Sequence, residues 1–249
     1  MNIDLTGKRA IVAGGSRGIG RAIALAFAEA GAGVSICARG GERLTATREE
    51  IARHGGTAHA AVCDLADEAA VPRYIEEAAA ALGGIDILVN NASGFGATDD
   101  EAGWAVSVSV DLLATVRAIR AALPYLEKSG AGAILNISSI SGLRATPRTP
   151  PYAAIKAAVL QYTLTQAASL ARKGIRVNCI APGSIEFPGG TWERVKLNNP
   201  DLYGRILRSI PFGRLGRPEE IAQVALFLCS PLAGWVTGQN IAVDGGQML

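Results

Sequence analysis

The sequence predicts a doubly wound α/β fold of the Rossmann type: one domain built on a seven-stranded parallel sheet with helices on both faces. Three observations predict it. Short β-branched runs alternate with longer Ala-rich stretches of helical period along almost the whole chain; the first such run opens into a glycine-rich turn and an amphipathic helix; and no linker, repeat or low-complexity tract divides residues 1–249. A chain of this length buries a substantial core. The strands are expected at residues 9–13, 33–38, 57–62, 85–89, 133–138, 176–180 and 240–243. In the first helix Ile19, Ile23, Phe27 and Ala30 recur at spacings of four and three and so share one face, and Gly31 ends it. Helical pattern also covers 41–54, 67–82, 101–128, 152–173 and 217–228. Between 182 and 218 Pro, Gly, Trp, Arg and Asn break the rhythm, so a substrate loop is expected as an insertion at about 186–216.

Composition excludes several classes of function. The 49% apolar content is spread in short runs, none of which reaches the roughly 18–20 residues of a spanning helix, so no membrane partner is expected. The start, Met1-Asn2-Ile3-Asp4-Leu5, lacks the basic and apolar stretches of a secretory signal, and the expected location is cytoplasmic. Cys37, Cys63, Cys179 and Cys229 lie far apart within mostly apolar runs, which suits reduced core thiols and gives no metal site. A formal charge of +2 with interleaved signs leaves no footprint for nucleic acid, so the expected partner is a small molecule. His54 and His59 flank a Gly-Gly turn and are read as solvated or packing residues, and Trp104 and Trp235 as structural.

The first strand runs into Ala13-Gly14-Gly15-Ser16-Arg17-Gly18-Ile19-Gly20 and then into the amphipathic helix. Glycines allow tight geometry and close approach of a pyrophosphate, while the helix start offers free N–H groups and a positive dipole end. The spacing Gly14-x-x-x-Gly18-Ile19-Gly20 resembles that of the short-chain dehydrogenase/reductase family. The resemblance continues through Asp64-Leu65, Asn90-Asn91-Ala92, Ser139, Tyr152-x-x-x-Lys156 and Pro182-Gly183. The ending, Gly216-Arg217-Pro218-Glu219-Glu220-Ile221-Ala222 through Val243-Asp244-Gly245-Gly246, is similar to bacterial 3-oxoacyl-carrier-protein reductases.

An NAD enzyme of this architecture places a carboxylate at the end of its second strand. Here stand Cys37-Ala38-Arg39, and Arg39 with Arg17 can pair with a 2′-phosphate, so the expected cofactor is NADP(H). The resemblance implies a cofactor site of Gly14, Ser16, Arg17, Gly18, Ile19 and Arg39, with Asp64 and Leu65 at the adenine. It further implies Asn91, Ala92 and Ser93 at the inner ribose, Lys156 on the nicotinamide ribose beside Tyr152, and Pro182, Gly183 and Ile185 over the nicotinamide. Gly20 is expected to serve helix packing.

Tyr152 and Lys156 stand four apart on a helical segment and project from one face. A free tyrosine titrates near pKa ~10. A neighbouring ammonium and an oxidised nicotinamide favour the phenolate, which makes Tyr152 a usable acid/base. The family sets its serine thirteen residues before its tyrosine, which selects Ser139 over Ser138 and Ser141 as a second donor to the substrate oxygen. Three departures from the family pattern stand out. Asp111 occupies the place of an Asn that holds a water on the lysine's proton path; Ser93 replaces a glycine, its hydroxyl free to contact ligand or to satisfy backbone; and Phe187 replaces a Thr.

The substrate is expected between Ser139, Ser141, the segment 143–151 and the stretch 186–212, with Arg144, Arg148 and Trp192 as contacts. That rim also carries Arg194, Tyr203, Arg205 and Arg208, and suits a carboxylate or phosphate such as a pantetheine arm. Three functions follow: an NADPH-dependent reductase of a 3-oxoacyl or other keto compound, an NADP-dependent sugar or secondary-alcohol dehydrogenase, and a non-catalytic nucleotide-binding module. The family's habit of assembly through long helices and its C-terminal segment implies a homo-oligomer, a tetramer or dimer.

Overall fold

The computed structural model describes residues 3–249. Seven strands, β1 (Arg9–Ala13), β2 (Gly33–Ala38), β3 (Ala58–Val62), β4 (Ile87–Asn90), β5 (Ala133–Ile137), β6 (Arg176–Pro182) and β7 (Asn240–Val243), form one sheet in the order β3-β2-β1-β4-β5-β6-β7. Every pairing is parallel. The helices are α1 (Gly18–Glu29), α2 (Gly41–Ala52), α3 (Ala70–Leu82), α4 (Glu101–Val106), α5 (Ala114–Ser129), α6 (Pro150–Leu170), α7 (Thr191–Asn198), α8 (Pro200–Arg208) and α9 (Pro218–Cys229).

Alternation along the strands divides the core in two. Ala10, Val12, Val34, Ile36 and Val89 meet Phe27 of α1 and Ile221 and Ala225 of α9 on one face. Ile11, Ala13, Leu88 and Ile134 meet Tyr74 and Ile75 of α3 and Ile119 of α5 on the other. The strand order reverses between β1 and β4, the junction at whose carboxyl ends such sheets open a binding crevice. A buried amide chain ties α6 to this junction: Asn90 Nδ2 donates to Asn136 Oδ1 at 2.9 Å, and Asn136 Nδ2 to Thr163 Oγ1 at 2.9 Å. Such a satisfied network fixes the register and orientation of a helix on a sheet more sharply than apolar contact alone.

Three expectations need correction. The single helix over 101–128 is interrupted, because residues Ser107–Leu113 form a π segment between α4 and α5. Such widened turns gather at functional sites, and this one holds Asp111. The segment 186–216 is not irregular throughout, since it folds into α7 and α8; Pro200 starts α8 and Asn199 Oδ1 caps it, accepting from the Leu202 N–H at 3.1 Å. Trp235 is not a packing residue within this chain, because its side chain is 100% exposed. Trp104 is 38% exposed, with its indole N–H on Asp99. His59 does pack, between Ser35 and Glu77. All four cysteines are free and buried. Among the described residues no helix is long and apolar enough to cross a membrane.

Candidate active site

The cradle at the β1–α1 turn is shaped by what glycine lacks. Gly14 has φ 79°, and a Cβ there would lie 2.9 Å from Ala92 Cα. A Cβ on Gly20 would strike the Gly14 carbonyl oxygen and Asn91 Nδ2, so Gly20 lets α1 sit against the turn as expected. The amides of Gly14 and Gly15 both donate to the Cys37 carbonyl, and Asn91 Nδ2 donates to Gly14 O at 3.0 Å. Asn91 therefore holds the glycine turn itself. No side chain caps α1, so its first N–H groups stay open and its positive end faces the crevice. A pyrophosphate fits that donor set and that missing bulk.

Arg17 and Arg39 are both exposed beside this turn, and Arg17 Nη1 donates to the Gly189 carbonyl at 3.2 Å. A cleft of about 870 Å³ runs from Ser16, Arg17 and Gly18 past Arg43 and Thr47 to Glu186 and Phe187. The Phe187 ring stands over the turn: a Cβ on Gly18 would lie 2.6 Å from its Cζ. Leu65 is buried, while Asp64 is exposed and its carboxylate accepts from the Ala66 N–H at 3.0 Å. Ser93 Oγ accepts from the Phe95 N–H at 3.1 Å, so its hydroxyl satisfies backbone. Pro182 and Ile185 are buried at the end of β6 and just beyond it, and the Gly183 N–H donates to Val243 O.

Tyr152, Lys156 and Asp111 come together at the start of α6, and Ser139 follows the Ser138 whose hydroxyl bonds that helix at the Lys156 carbonyl. Pro150 and Pro151 occupy its first positions, where their missing N–H groups leave no helix bond unmade. Lys156 is 3% exposed; its Nζ donates to Ile137 O at 3.0 Å, stands 3.0 Å from Asp111 Oδ1 and lies 5.6 Å from the Tyr152 ring centroid. Burial works against the ammonium, but the adjacent Asp111 carboxylate and then the charge of Tyr152 outweigh it, so the Lys156 pKa lies above the ordinary lysine value. Asp111 Oδ2 accepts from the Gly94 N–H at 2.9 Å. Its Oδ1 is in ionic contact with Nζ yet receives no aligned hydrogen bond, leaving a buried lone pair open.

Ser139 Oγ accepts from the Ser141 N–H at 3.0 Å, which leaves its own proton free to donate. Ser138 is spent differently, its Oγ donating to the Lys156 carbonyl at 2.8 Å. Of the residues expected at the substrate, Ser141 adjoins Ser139 and Arg148 is exposed, whereas Arg144 Nη1 donates to the Gln247 carbonyl at 2.9 Å. Trp192 is half-buried on α7 and does not line the large cleft. Sequence reasoning missed Phe95, whose ring meets that of Tyr152 edge to face with centroids 4.9 Å apart. Its place between Gly94 and Gly96 was the available signal.

The strand-order reversal beside β1 and the open glycine cradle at its end give the chain the form of a dinucleotide-binding fold. A family model described as "Enoyl-(Acyl carrier protein) reductase" matches residues 13–248. Isoepoxydon dehydrogenase of Penicillium expansum is 39% identical over 99% of this chain and 96% of its own. The 3-oxoacyl-[acyl-carrier-protein] reductase of Chlamydia trachomatis is 38% identical over 98% of each. The structure of L-sorbose reductase from Gluconobacter frateurii, complexed with NADPH and L-sorbose, superposes with a TM-score of 0.91 at 33% identity, covering 100% of this chain and 99% of that one. The chain belongs to the short-chain dehydrogenase/reductase family, oxidoreductases that act on hydroxyl and keto groups with a nicotinamide dinucleotide.

Proposed function

We propose that this chain is an NADPH-dependent reductase of a 3-oxoacyl or other keto compound, with Ser139, Tyr152 and Lys156 as its catalytic residues. The observation that carries the reading is the buried Lys156 one helical turn from Tyr152, beside a Ser139 hydroxyl whose proton is free. Gly14, Ser16, Gly18 and the open start of α1 would hold the pyrophosphate of a nicotinamide dinucleotide, which when bound would supply hydride for the carbonyl carbon. Tyr152 protonates the oxygen as alkoxide character grows, and Ser139 donates a second hydrogen bond to it. Lys156 places a fixed positive charge beside the phenol, and Asp111 holds that lysine in position. Water at the open Asp111 Oδ1 would link the lysine to solvent and return the proton.

NADP(H) is preferred over NAD(H) on this reading because Arg17 and Arg39 stand exposed at the adenosine end and no carboxylate ends β2. A hydrogen bond to a charged group contributes about 1.5–3 kcal/mol. The Arg17→Ala and Arg39→Ala variants should each lower the NADPH-to-NADH ratio of kcat/KM by roughly tenfold to a hundredfold, read from steady-state rates with both cofactors. An unchanged ratio in both would remove the argument for the phosphate. The relation to isoepoxydon dehydrogenase favours a second reading, sugar or secondary-alcohol dehydrogenation. Initial rates in both directions separate the two. The fully exposed Trp235, with Leu232 and Phe227 also exposed nearby in the chain, supports a homo-oligomer, and four free thiols suit a reducing, cytoplasmic setting.

A further inference from the structure

Phe95 has no part in the machinery above, and its conformation calls for a reason. Among the described residues it is the one non-glycine position with positive φ, 52°. Side chains rarely hold that conformation unless the surroundings enforce it. Here they do, because polar bonds fix the loop on both sides. Ser93 Oγ accepts from the Phe95 N–H at 3.1 Å, Asp111 Oδ2 from the Gly94 N–H at 2.9 Å and Ser107 Oγ from the Gly96 N–H at 3.1 Å, while Gly96 O accepts from the Tyr152 N–H at 3.2 Å.

What this loop holds in place is an aromatic ring that belongs to neither core. Phe95 is 41% exposed, and its ring meets the Tyr152 ring at an interplanar angle of 62°. A phenyl group held half in solvent beside the proton donor offers an apolar flank to whatever presents a carbonyl there. We propose that Phe95 is a specificity residue that selects a rigid cyclic ketone, whose apolar ring lies against the phenyl while its carbonyl reaches Tyr152 and Ser139.

A rigid ring covers an apolar surface without freezing its own torsions, and ring-to-ring contact is favourable beyond area alone when the partner is unsaturated. An open-chain 3-oxoacyl thioester must order several rotors to make the same contact. Of the cations expected to favour its phosphate-bearing arm, Arg144 is engaged by Gln247 O, while Arg148 stays exposed. This inference rests on the reductase reading and narrows its substrate class.

The test compares NADPH-linked kcat/KM for α-tetralone, a fused cyclic ketone, with that for an acetoacetyl thioester, in wild type, Phe95→Gly and Phe95→Tyr. Glycine suits the positive φ, so the first variant removes the ring without straining the loop. The cyclic-to-linear ratio should fall about tenfold in Phe95→Gly, as loss of some 1.4 kcal/mol of contact implies, and should return in Phe95→Tyr with the pH–rate profile unmoved. An equal fall for both substrates, an unchanged ratio, or a wild type that prefers the thioester would overturn it. A wild type that reduces neither ketone, in the presence of NADPH it demonstrably binds, would overturn the reductase reading itself.

Discussion

Replacing Asp111 with alanine is expected to lower stability by about 3–5 kcal/mol, the usual result of leaving one member of a buried ion pair alone. Lys156 would keep only the Ile137 carbonyl, and the Gly94 N–H would lose its acceptor. The same pair makes stability depend on alkaline pH. Because the folded-state pKa of Lys156 is raised, the stabilisation is fully present below its unfolded value, near ~10.4, and is lost as pH rises through the higher folded value. Denaturant titrations at neutral and alkaline pH should show the wild type losing this margin while the variant, already without it, changes less. The milder Asp111→Asn change keeps an acceptor for Gly94 but removes the carboxylate charge. Its pH–rate profile should move to lower pH, because the field of the ammonium on the phenol is no longer partly cancelled. A superimposable profile would show that the carboxylate has no influence on proton transfer.

Tyr152→Phe is the second large effect. Removing the proton donor should lower kcat by about 10²–10⁴-fold. The variant leaves the Phe95 ring contact, the packing of α6 and the ion pair of Lys156 in place, so thermal stability and NADPH affinity should stay close to wild type. Loss of rate together with loss of cofactor binding would instead mark Tyr152 as a binding residue. Equal rates in the two proteins would place the proton donor elsewhere.

The strands were legible because a parallel sheet buried on both faces writes itself as short apolar runs, and β1, β2 and β7 match the sequence reading to the residue. The start of α6 was harder. Pro150 and Pro151 look like loop residues, yet they occupy the helix positions that need no N–H. The π segment was invisible, since its valines and leucines at 107–113 satisfy an α-helical pattern equally well. Trp235 reads as a core residue in any local window, and only the finished surface shows its indole facing outward. Ser139, Tyr152, Lys156 and Asp111 could be named from spacing and resemblance, but their mutual arrangement could not. Asp111 meets Lys156 because a π turn and the register of α6 on β5 bring together positions 45 apart in sequence.

Hydride transfer between nicotinamide and a carbonyl carbon, with Tyr152 as the acid, leaves an isotopic trace in the product. The most direct measurement follows NADPH carrying deuterium at its transferable position, mixed with the wild-type protein or Tyr152→Phe and a ketone, with deuterium located in the product by NMR. Label is expected on the new carbinol carbon with the wild type and almost none over the same time with the variant. Tight NADPH binding with no label transferred to any ketone, and none drawn from the corresponding alcohols in reverse, would contradict it and leave a nucleotide-binding module.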